Sequence, residues 1–124
     1  MAQKYIEGDV VMYDNKIMVI KEPRDGSHFD LSCPKEGLVY CFVGVDDMKP
    51  VRLTEEILEK NGWKEDKGDY IDDSHHLHLC GKYDGYSVYK VVNDYNVVWL
   101  TGVRNVSDLQ HLLFGLGLNS EMEV

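Results

Sequence analysis

The chain opens with two β-rich apolar runs around a polar pair. Val10, Val11 and Met12 precede Asp14-Asn15, and Ile17 to Ile20 follow it. Asp and Asn tolerate positive φ, so the pattern predicts a tight hairpin with a two-residue turn. Val10 and Met12 then share one face, as do Ile17 and Val19. Pro23 and Asp25-Gly26 punctuate the chain, since proline does not fit a central strand. His28 to Leu31 fits a short third strand. Leu38 to Val45 is nearly all apolar, and its length and β-branched and aromatic content predict a buried strand rather than a helix. Closely spaced turns over 1–50 predict an SH3-like or bent antiparallel β half.

Periodicity changes after Leu53. Residues 54–62 predict a short central helix, with Thr54 as N-cap, Glu55 and Glu56 at the positive end of the dipole, and Gly62 after the last turn. Leu53, Ile57 and Leu58 form its apolar side, and Trp63 packs back on it. The acidic stretch from Lys64 to Ser74 reads as a connecting loop. From His75 to Cys80 the period returns to two: Leu77 and Leu79 face one way, and His76, His78 and Cys80 the other. With the runs at 86–92 and 97–100 this predicts a three-stranded β-meander over 75–100. Residues 107–117 predict a helix. Ser107 and Gln110 have capping-box spacing, and Leu109, Leu112, Leu113 and Leu116 recur at i, i+3, i+4, i+7. The acidic tail from Asn119 admits either an added edge strand or an unstructured end. The expected class is α+β, in one domain over 1–124.

Composition narrows the function classes. A formal charge of -9 and a pI near 4.9 argue against a direct binder of nucleic-acid backbone, which needs a basic face. No run approaches the roughly 18 apolar residues of a membrane span. Charges interrupt the first residues before an apolar core of a secretory signal can form, so the expected setting is the cytoplasm. Cys33, Cys41 and Cys80 are an odd set with no CxxC spacing. They are expected as free thiols, behaving as small buried hydrophobes.

Candidate chemistry is sparse. His76, His78 and Cys80 are the sharpest constellation, because both residue types bind zinc and alternate positions on a strand share a face. Zinc-finger spacing is absent, and a fourth ligand would have to come from Cys33, Cys41 or His28. These are therefore weak metal candidates, and the polar side of a half-buried strand accounts for the same alternation. No Cys, His or Asp lies in a nucleophile signature. Asp46-Asp47 and Asp72-Asp73 fall in turns, and Gly115-x-Gly117 falls at a helix end rather than in a phosphate loop. The sequence thus points to no catalytic residue and no cofactor. Tyr83, Tyr86 and Tyr89 cluster around one hairpin and are candidates for binding a partner, since tyrosine buries a ring while its hydroxyl stays wet. Acidity is uneven: residues 65–84 carry a net -4 and residues 105–124 a net -3.

Three segments resemble one family. Leu53-Thr54-Glu55-Glu56-Ile57-Leu58 with Asn61-Gly62-Trp63 is similar to its "LTEE-hydrophobic-L…NGF" helix. Val106-Ser107-Asp108-Leu109-Gln110-His111-Leu112-Leu113-Phe114 is similar to its C-terminal "VHxLQxLxF" helix, and Ile6-Glu7-Gly8-Asp9-Val10 to its "IGNxV" start. Ser107 stands where that family has His, and Trp63 where it has Phe. The family consists of small uncharacterised proteins of gut anaerobes, their mobile elements and phages. The resemblance implies the same architecture and a mobile-element context, and carries no reaction or catalytic residue.

The resulting expectation is a small non-enzymatic module that binds another protein through exposed strand edges or the tyrosine-rich hairpin. One alternative is an acidic counter-defence or regulatory protein that occludes a nucleic-acid-binding surface of a host enzyme. The second is a metal-dependent hydrolase at His76 and His78.

Overall fold

The computed structural model describes residues 5–82, 85–93 and 96–124. The class is α+β, with two five-stranded antiparallel sheets and two α-helices. The chain divides into two compact units, one running to Val51 and resuming at Val106–Met122, the other comprising Arg52–Asn105 with Glu123–Val124. Among the described residues no helix is long and apolar enough to cross a membrane.

The first unit holds β1 (Val10–Tyr13), β2 (Lys16–Asp25), β3 (His28–Cys33), β4 (Leu38–Gly44) and β5 (Lys49–Pro50), in the order β4-β3-β2-β1-β5. The β1–β2 hairpin turns as predicted: Asp14 and Asn15 both take positive φ, at 52° and 59°, between the paired Tyr13 and Lys16. Primed turns of this kind match the natural twist of the flanking strands. The core is built from Val11, Met18, Ile20, Phe29, Leu31, Val43 and Met48, with Tyr5 set edge-on to Phe29 at 6.2 Å. Helix α2 (Val106–Gly115) packs against β1.

Two expectations are corrected here. β4 is not a buried strand. It is an edge strand of its sheet, and Leu38, Val39 and Phe42 are exposed. Apolar composition indicated strand but could not report how many neighbours the strand has. Ser107 is not the helix cap either. It is fully buried inside the first turn, and the buried face of α2 is Val106, Leu109, Gln110 and Leu113, while Leu112 is half-buried and Leu116 exposed. Gln110 instead reaches β1. Its Oε1 accepts from the Val10 N–H at 2.8 Å, and its Nε2 donates to the Gly8 and Ser120 carbonyls at 2.8 and 3.0 Å. The side-chain amide thus stands in for a strand neighbour at the start of β1, satisfying backbone groups that would otherwise be orphaned.

The second unit starts with α1 (Glu55–Lys60), whose N-cap Thr54 accepts from the Ile57 N–H at 3.3 Å. Gly62 follows in the left-handed region, and Trp63 is buried. Then come β6 (Lys64–Asp66), β7 (Asp69–Asp72), β8 (Leu77–Lys82), β9 (Gly85–Asn93) and β10 (Asn96–Val103), paired in sequence order. The predicted meander is therefore longer than expected, because the stretch read as a loop forms the β6–β7 hairpin. Lys67 and Gly68 make its turn, both at positive φ, between the paired Asp66 and Asp69. One face of this sheet is buried at Tyr70, Leu77, Leu79 and Val88. The tail adds no strand. The Asn61 amide holds it, donating to the Glu123 carbonyl at 2.8 Å and accepting from the Glu123 N–H at 2.9 Å.

Candidate functional site

The opposite face of the second sheet carries the chemistry-bearing side chains. Strand pairing sets Lys64, Ile71, His78, Tyr89 and Trp99 in one row across all five strands. In the next row Asp66 pairs with Asp69 and Cys80 with Ser87, and continuing the Tyr70–Leu79 register places Asp69 opposite Cys80. Paired residues in an antiparallel sheet stand only about 4.5–5.5 Å apart at Cα, so their side chains meet. His78 Nε2 lies 3.2 Å from Asp69 Oδ2. One ligand atom each from Asp69, His78 and Cys80 lies within 4.8 Å of the others, and all three residues are half-buried.

His76 is placed elsewhere. Its φ of 57° puts it in the turn before β8, exposed, so the strand alternation begins only at Leu77. Its carbonyl accepts from the Val91 N–H at 2.8 Å. His75 Nδ1 is 2.7 Å from Asp72 Oδ2, within the same turn region. The other residues weighed as a fourth ligand belong to the first unit. His28 sits 3.0 Å from Asp25 Oδ1 and stacks on Phe42 at 4.1 Å, Cys33 is buried, and Cys41 is exposed on β4. Asp69 was missed in the sequence because its strand was read as loop. The available signal was Gly68, a glycine that permits a two-residue hairpin turn.

The tyrosine candidates separate. Tyr83 lies outside the described residues. Tyr86 and Tyr89 are three positions apart on β9 and so face opposite sides of the sheet. Tyr86 is half-buried, edge-on to Tyr70 at 6.4 Å, and lines a cavity of about 260 Å³ with Arg52, Leu53 and Glu55. Burial pushes the Tyr86 hydroxyl pKa up, Glu55 adds to the rise, and Arg52 opposes it. Tyr89 is on the His78 side. Gly85, at the start of β9, has φ 128°, and a Cβ there would collide with the Val103 carbonyl oxygen.

Beside the exposed edge strand β4 of the first unit, the second unit has an exposed apolar edge of its own in β10. It is an edge strand of its sheet, and Asn96–Val103 contains no charged residue. Val97, Val98 and Trp99 are 56%, 50% and 59% exposed, and Val92 on the paired strand is 60% exposed. Soluble proteins usually blunt such an edge with charge, proline or cover. No protein-family model, curated protein or solved structure matches the chain.

Proposed function

We propose that the protein is a non-enzymatic binding module that takes up an extended segment of a protein partner along the outer edge of β10. The observation that carries this reading is the uncharged, apolar edge strand with Val97, Val98 and Trp99 each half exposed or more. Strand addition draws affinity from main-chain hydrogen bonds and selectivity from alternate side chains. Trp99 would supply a large ring of the kind that dominates binding energy at interfaces. The charge of -9 favours a partner with basic residues around its apolar segment and disfavours nucleic acid. The similarity of the two helix segments to proteins of mobile elements and phages fits a partner in the host cytoplasm.

The test is affinity capture from a host lysate with the full chain, beside Trp99→Lys and Val97→Lys. Both changes place a charge on the edge without touching the buried face. The expected result is a partner captured by the wild type and lost with both variants, while their melting temperatures match the wild type. A partner retained by both edge variants overturns the reading.

A further inference from the structure

We infer that Asp69, His78 and Cys80 form a binding site for a borderline-soft divalent metal ion, zinc above all. The argument begins with the ladder. β8 presents His78 and Cys80 on one face because they are two positions apart, and β7 delivers Asp69 beside Cys80 through the hairpin turn at Lys67-Gly68. The ligand atoms lie within 4.8 Å of one another. Zinc bonds of roughly 2.0–2.3 Å place tetrahedral ligands about 3.3–3.7 Å apart. The Asp69–His78 pair is already at 3.2 Å.

The donor set decides the metal class. One imidazole nitrogen, one carboxylate oxygen and one sulfur do not suit calcium or magnesium, which take oxygen ligands. A thiolate with an imidazole suits zinc. A carboxylate from Asp69 and a thiolate from Cys80 together neutralise a divalent cation. Three protein ligands leave one tetrahedral position for water or for an incoming donor group. The site lies on the sheet in the same row system as Tyr89 and Trp99, with Ser87 across from Cys80. It is independent of the β10 reading, since neither His78 nor Cys80 lies at that edge.

The experiment titrates the metal-free full chain with cobalt(II), which reports a thiolate ligand by its sulfur-to-cobalt charge-transfer band, and then displaces it with zinc. Melting curves with and without one equivalent of zinc give a second readout. The expected result is one equivalent bound, the band present, and a zinc-dependent rise in melting temperature. Asp69→Asn, His78→Gln and Cys80→Ser should each weaken binding by roughly tenfold or more. Cys80→Ser should also abolish the band, while His76→Ala and Cys41→Ser should bind as the wild type does. Circular dichroism of each variant in chelator establishes that it is folded. Binding of equal strength in folded Cys80→Ser, binding abolished by His76→Ala, or uptake only at millimolar metal would each overturn the assignment.

Discussion

In the first unit β1 is buried on both sides: Val10 is 2% exposed and Val11, on the other face, not at all. In the second unit β8 is buried on one side only. Leu77 and Leu79 are fully buried, whereas His78 and Cys80 between and beyond them are half-exposed. Both strands are interior to antiparallel sheets, β1 between β2 and β5 and β8 between β7 and β9, so strand neighbours do not explain the contrast. The helix does. α2 lies against β1, and its Gln110 bonds the backbone at Val10 and Gly8, so polar groups there become internal structure. On the second sheet the face opposite Leu77 and Leu79 keeps its imidazole, thiol, carboxylate and rings accessible. A strand with one open face can carry binding chemistry that a strand covered on both faces spends on its own stability.

The largest effect that would break this contrast lies in the cores. Leu79→Ala and Leu31→Ala each remove a fully buried side chain. Each should cost about 2–5 kcal/mol in urea unfolding, the usual range for buried leucine. A loss below about 1 kcal/mol for Leu79→Ala would mean that the face holding Leu77 and Leu79 is not the core of its unit.

Much of this was legible from residue periodicity, and the failures share a cause. The Asp14-Asn15 turn, the Thr54 cap and the Leu77/Leu79 alternation are local facts, fixed by backbone preference and side-chain period. The exposure of β4, the burial of Ser107 and the role of Gln110 depend on distant neighbours that no local window contains. Two of the three residues of the candidate site were legible because His78 and Cys80 share a strand. Asp69 was not, because an acidic segment hid a hairpin whose only mark was Gly68. His76 was included by alternation alone, and its left-handed backbone takes it off the strand.

Next in size is the amide that ties α2 to β1. Gln110→Leu keeps the side-chain volume but leaves the Val10 N–H and the Gly8 carbonyl without this partner. Orphaning the buried Val10 N–H costs about 1–3 kcal/mol. Unfolding should therefore show a deficit, and amide exchange at Val10 should quicken selectively. Unchanged exchange at Val10 would remove Gln110 from its role as a strand surrogate.

Two buried aspartates in the first unit sharpen the comparison through pH. Burial pushes the Asp9 pKa up despite hydrogen bonds from Ile6 and His111. Arg24 and the Phe42 N–H hold Asp30 below the usual carboxylate range. A raised folded pKa favours the fold at acid pH, and that contribution is lost as pH rises through the folded value. A lowered one stabilises at neutral pH and is lost as pH falls through it. Asp9→Asn should therefore be weakest against wild type in acid, and the gap should close as pH rises above the usual carboxylate range. Asp30→Asn should be weakest at neutral pH, and its gap should close in acid. Chemical unfolding from pH 7 to pH 3 reads both slopes, and slopes of the same sign would contradict the assignment.

The smallest effect is expected on the open face. Tyr89 pairs across the sheet with Trp99 on β10 and with His78 on β8, and it is only half-buried. Cross-strand pairs of this kind contribute about 0.2–1 kcal/mol. Tyr89→Ala should lower stability by no more than that, far less than Leu79→Ala one position across the neighbouring strand. A double-mutant cycle with Trp99→Ala isolates the pair itself, since the two residues are paired directly across the strands. A coupling energy within the cross-strand range leaves the face open for a ligand or partner. A loss from Tyr89→Ala matching that of Leu79→Ala would mean that the row from Lys64 to Trp99 is a second core, and both surface proposals would lose their ground.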